Sequence, residues 1–104
     1  MHARVWQVRI RPGKTDDFKT ALQSLFPLAR QQPGYRGAVA LTSGTAAARE
    51  VTVVGVWDSL DDIRASERNL FVTQAISRVL VCCDGFPQIT EQEVLERDWF
   101  SGAP

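Results

Sequence analysis

Histidine is nearly missing from this chain of 104 residues: His2 is the only one. It sits at what reads as a mobile terminus, so no general base stands ready for a Ser or Cys nucleophile, and hydrolytic triads are excluded. Metal chemistry is not favoured either, because no His, Cys and Asp cluster falls at ligand spacing. Asp58, Asp61 and Asp62 lie where helix N-termini welcome acids in any case. Cysteine is almost as scarce. Cys82 and Cys83 are the only two; a bond between neighbours is strained, and metal ligands want wider spacing. They are expected to be reduced thiols near a helix end. An excess of one charge is also lacking, since 12 basic residues balance 12 acidic ones. Nothing steers the chain towards nucleic acid or anionic lipid. No apolar run approaches the roughly 20 residues of a membrane span. The opening Met1–Trp6 has no signal-peptide core, so a cytosolic location is expected. The seven glycines are scattered singly, which excludes a glycine-rich phosphate loop.

What is present is periodicity. Ala3 to Arg11 alternates Trp6, Val8 and Ile10 against Val5, Gln7 and Arg9, the period of a strand. Pro12-Gly13-Lys14 breaks it, and Thr15 is placed to cap a helix whose first turn holds Asp16 and Asp17. Phe18, Ala21, Leu22, Leu25, Leu28 and Ala29 form its apolar stripe. Pro27 should kink the last turns before Gln32-Pro33-Gly34 ends the helix. Tyr35–Thr42 and Glu50–Trp57 read as a strand pair with a long tip over residues 43–49. Asp58 or Ser59 caps a short helix with Leu60 and Ile63. Asn69 caps another, with Val72, Ala75, Ile76, Val79 and Leu80 on one face. Asp84-Gly85 reads as a stop, and Pro87 to Trp99 as the last strand.

This length suits one domain, over residues 1–100, followed by a loose tail 101–104. The order is strand–helix–strand twice over. Such units form a four-stranded antiparallel sheet with helices on one face: an α+β, ferredoxin-like βαββαβ fold. A sheet covered on one side leaves apolar side chains on the other, and a second copy of the chain is the expected partner. Trp99 and Phe100 are assigned to that contact.

The run Gln32-Pro33-Gly34-Tyr35-Arg36-Gly37 resembles the helix-to-strand junction of the antibiotic biosynthesis monooxygenase (ABM) family. Val54-Gly55-Val56-Trp57-Asp58-Ser59-Leu60-Asp61-Asp62 is similar to its passage from strand through Trp to a short acidic helix. With the opening strand and Pro12-Gly13-Lys14, the resemblance runs from about Arg4 to Trp99. It implies a dimeric α/β barrel with the ligand pocket inside each subunit, between sheet and helices. Members oxygenate aromatic polyketides without a cofactor, degrade haem, or have no established activity.

The haem branch implies a histidine near Ala75 and a tryptophan near Ala65. This chain has neither, and haem would lose its usual proximal group. What remains is oxygenation that needs no cofactor, in which the substrate itself reduces oxygen while the protein binds it and excludes water. The candidate pocket residues are Trp6 and Trp57 as walls, Tyr35 and Asn69 as hydrogen-bonding groups, and Phe71 at the mouth. A small aromatic or quinol-type molecule is the expected ligand. Two other readings stay open: a non-catalytic dimeric barrel that binds a small apolar ligand or nothing, and an isomerase or lyase with a carboxylate or Tyr35 as base. A pocket holding two fused rings and a polar side chain favours the oxygenase. One filled by Trp6, Phe18, Phe71 and Ile76 does not.

Overall fold

A computed structural model of the chain describes residues 1–43 and 49–98. Most of the tip expected over 43–49 falls outside these residues, as do Trp99, Phe100 and the tail. The elements are β1 (His2–Ile10), α1 (Thr15–Arg30), β2 (Tyr35–Thr42), β3 (Glu50–Trp57), α2 (Leu60–Glu67), α3 (Leu70–Val81) and β4 (Cys83–Glu93). The strands form one antiparallel sheet in the order β2-β3-β1-β4. This is the ferredoxin-like arrangement, with the helices packed on a single face.

Alternation decides which residues meet the helices. Val8 and Ile10 of β1 and Val51 of β3 are buried with Phe18 and Leu22 of α1 and Val79 of α3. Burying a side chain of this size stabilises by roughly 1.5–3 kcal/mol, against about 1 kcal/mol for a good helix cap. Core burial therefore holds the helices to the sheet, and the caps only trim their ends. On the opposite face, Val5, Val54 and Val56 are half-buried, while Val39 and Leu41 are 49% and 51% exposed.

Three expectations need correction. Lys14, not Thr15, holds the N-cap position of α1, with no side-chain cap bond. The Lys14 N–H donates to the Arg11 carbonyl (3.0 Å) and closes a turn through Gly13, so the helix starts one residue earlier. His2 is not at a mobile end: it lies within β1, opposite Trp57 and Glu93. The last strand begins at Cys83 and ends at Glu93. α3 already ends at Val81, and Asp84-Gly85, expected to stop it, lies inside the strand. Gln7 pairs with Gln88 and Arg9 with Asp84, so Gly85, Phe86 and Pro87 together face Val8 as a bulge. Gly85, at φ +69°, takes the left-handed conformation there.

The other caps form as read. Asn69 Oδ1 accepts from the N–H groups of Phe71 (3.0 Å) and Val72 (3.2 Å). At α2 the cap is Ser59, whose Oγ accepts from the Asp62 N–H at 3.1 Å. Asp58 instead pairs with Arg36. Gly34 deserves its place in the helix-to-strand junction for two reasons: its φ is +82°, and a Cβ would overlap the Asp62 carboxylate. The left-handed conformation alone costs another residue about 1–2 kcal/mol. This close passage sets Tyr35 edge-on against Trp57, ring centroids 5.1 Å apart.

Candidate functional site

Between the sheet and the three helices lies a cavity of about 100 Å³. Its floor follows from strand register. Arg4 of β1 faces Gly55 of β3, which faces Ala38 of β2, and the next pair along β1 and β3 is Trp6 with Val53. Gly55 and Ala38 leave space where larger side chains would fill it, and a Cβ on Gly55 would approach only Trp57 Nε1, at 3.4 Å. Phe26 and Ala29 of α1, Ile63 of α2, and Val72 and Ile76 of α3 complete an apolar lining that stays open on one side.

Polar groups enter at few points. Ser66 lines the cavity, but its hydroxyl donates to the Ile63 carbonyl (2.7 Å). Arg4, whose side chain is 20% exposed, pairs with Glu67 at the end of α2 and lies 3.9 Å from Glu91 of β4. Its guanidinium sits 5.9 Å from the centre of the Trp6 ring. The Arg4 Nε–H is buried without an acceptor among the described residues, an arrangement that costs about 1–3 kcal/mol. Burial lowers the guanidinium's pKa, and the Glu91 charge opposes that. Burial raises the Tyr35 phenol above its ordinary value, with Arg30 opposing. Tyr35 is therefore a neutral phenol and a hydrogen-bond donor at neutral pH.

Residues 1–76 match the family described as antibiotic biosynthesis monooxygenase. The chain belongs to that family. Solved ABM structures agree in fold. One named for the family from Bordetella bronchiseptica superposes with a TM-score of 0.79 at 19% identity, over 91% of this chain and 97% of its own. Another from Nitrosomonas europaea gives 0.80 at 14% identity, over 92% and 100%. SnoaB, a cofactor-independent oxygenase from Streptomyces nogalater, gives 0.79 at 11% identity, over 92% and 94%. At these identities the likeness is one of fold. No curated protein sequence matches the chain.

Within this ABM fold, three of the five sequence candidates converge: Trp6, Tyr35 and Trp57 line the cavity. Asn69 and Phe71 do not. The Asn69 carbonyl oxygen is engaged in capping α3, and Phe71 is 68% exposed. The cavity face of α3 carries Val72, Ile76 and Val79 at helical spacing, which turns Phe71 outwards. Phe18 packs in the neighbouring core, so the cavity is not plugged by the four residues that would have closed it. At about 100 Å³ it is smaller than the roughly 150 Å³ cavity that houses a benzene, so the expected room for two fused rings is absent and a single ring enters only if the walls move. Arg4, Gly55 and Glu67 were missed. The alternation that placed Trp6 and Val8 on the inner face also puts Arg4 there, and Gly55 shares a face with Val53 and Trp57.

Elsewhere, a wider hollow of about 530 Å³ lies on the helix-free face, rimmed by Gln7, Arg9, Thr52 and Gln88. Its lining is more polar than that of the inner cavity, with Phe86 the one aromatic side chain among the described residues. Cys82 and Cys83 are buried, and burial raises the Cys83 thiol, so it stays protonated. Among the described residues no group of three or more His, Cys, Asp and Glu could hold a metal. No helix there is long and apolar enough to cross a membrane.

Tyr35 is the only tyrosine, so ultraviolet titration reads it alone. Its midpoint should fall above about 10, the ordinary phenol value. Folding favours the neutral phenol, so this contribution to stability is complete below the unfolded value and is lost as pH rises through the folded one. A midpoint at or below the ordinary value contradicts the placement of Tyr35.

Proposed function

We propose that this ABM-family protein is a monooxygenase of a single-ring phenol or quinol, needing no cofactor and working as a homodimer. The observation that carries the reading is the cavity: aromatic and aliphatic walls from every layer of the fold, with ionic groups, among the described residues, only at the Arg4–Glu67 edge. SnoaB, similar in fold, is itself named a cofactor-independent oxygenase, which supports the same chemistry here.

In this reaction the substrate anion is the reductant. A quinol reacts with O2 to give a hydroxylated quinone and water: one oxygen atom joins a ring carbon, and the other leaves as water with two substrate hydrogens. The protein's tasks are positioning and exclusion. Trp6 and Trp57 offer ring faces and edges for offset or edge-to-face contact. The Tyr35 hydroxyl donates towards a ring substituent. The apolar walls keep bulk water from the radical and peroxide stages.

The dimer forms through the helix-free face, where Val5, Val39, Leu41, Val54 and Val56 make an apolar surface on the side away from the cavity. Covering that face leaves each subunit's cavity independent. A cytoplasmic location fits this role and the reduced cysteines.

Two measurements test the reading. Oxygen uptake with a panel of monocyclic quinols should be detectable for at least one, and Gly55→Ala should raise its KM roughly tenfold, the effect of one extra carbon in an apolar pocket. No uptake across the panel contradicts the activity. Sedimentation at micromolar concentration should give twice the 11.6 kDa chain mass, and a clean monomer overturns the dimer.

A further inference from the structure

We propose that Arg4 and Glu67 form an acid–base pair at the edge of the cavity, in which Glu67 takes the acidic proton of a phenol and Arg4 receives the oxyanion. This deepens the reading above and rests on the same cavity. Both side chains line it, and they are ion-paired to one another although 63 residues apart in sequence. Among the described residues lining the cavity, Glu67 is the only carboxylate and Arg4 the only cation. The Arg4 Nε–H is buried and has no acceptor among the described residues, so the guanidinium keeps an unused donor while its terminal nitrogen holds Glu67.

Charge conservation is the physical advantage. The substrate O–H bond breaks, its electron pair stays on the phenolate oxygen, and the proton forms a new O–H bond on the Glu67 carboxylate. Before transfer the guanidinium faces a carboxylate; afterwards it faces a phenolate. The cavity gains no net charge, so the transfer avoids creating an isolated ion in an apolar space. Unpaired, a phenolate among Phe26, Val53 and Ile76 would be strongly disfavoured.

The surroundings favour the exchange. Glu67 ends α2, and its backbone carbonyl accepts from Thr73 Oγ1 of α3 (3.0 Å), which fixes the corner that presents the side chain. Glu91 of β4 is the other charge facing Arg4; at 3.9 Å and 32% exposed, it steadies the guanidinium through a solvent-screened contact. His2 lies on the same face of β1 but outside the cavity lining. The face of α3 towards the cavity is apolar.

The two partners should have opposite effects on anion binding, and a Glu67 that takes the proton should in addition be required for oxygen uptake. The probe is 4-nitrophenol, a single-ring phenol whose phenolate is coloured, titrated above its own pKa. Glu67→Gln frees Arg4 from its counter-charge and should bind the phenolate about tenfold tighter. Arg4→Gln should bind it about tenfold weaker, with Arg4→Lys recovering part of the loss. Thermal melts confirm that each variant is folded. If both Gln variants weaken binding, or Glu67→Gln leaves it unchanged, the pair is structural and the proposal falls. The oxygen reading is separated by uptake with quinols. Opposite binding shifts without uptake by the natural protein sustain the pair and remove the oxygenase. Uptake that Glu67→Gln retains in full sustains the oxygenase and removes the pair.

Discussion

The register that sets Arg4 against Gly55, and Gly55 against Ala38, is the constraint on which the site depends. Strand side chains alternate strictly, so a slip of β3 by one residue would send Val53 and Trp57 to the helix-free face, away from Trp6 of β1. In the observed register those three ring a position where β3 has no side chain at all. The helices then cover a sheet with a dent in it, and the dent is the cavity. Packing the same surface with Val or Ile at position 55 would give a more conventional core and no room for a ligand. The space is thus a local departure from the close packing that the rest of the fold obeys.

A second dependence runs through the junction between α1 and β2. Gly34 passes against Asp62 of α2 in a conformation that suits glycine, and Ser59 and Asp62 close the first turn of that helix around each other. This contact locks the short helix over the end of the sheet where Tyr35 meets Trp57. Since Glu67 ends the same helix, the placement of the cavity's carboxylate traces back to a glycine 33 positions earlier. The site is assembled from one turn, three facing sheet positions and one helix end.

Much of this was legible in the sequence because it is written in short-range pattern. Residues 35–42 and 50–57 read as strands from β-branched and aromatic enrichment, and they are β2 and β3. Asn69 read as a cap and is one. The same strength explains the misplacement of Asn69 as a pocket group: its side chain has one carbonyl, and the helix takes it. The last strand was misread because Asp84-Gly85 is turn chemistry, while pairing of Cys83 and Asp84 with Ile10 and Arg9 makes it a bulge. The Arg4–Glu67 pair had no local signature. A charged residue at an inward position is visible in the alternation of β1, but its partner lies on another helix, and only the folded chain joins them.

The central claim is that the inner cavity, and not the helix-free face, receives a single-ring ligand. Nuclear magnetic resonance titration of the protein with a small phenol tests it most directly. The indole N–H signals of Trp6 and Trp57 and the backbone amides of Gly55 and Ser66 should shift together along one saturable curve. Shifts confined to Val39, Leu41 and Val54, with both indoles unmoved, would place the ligand on the opposite face and contradict the account.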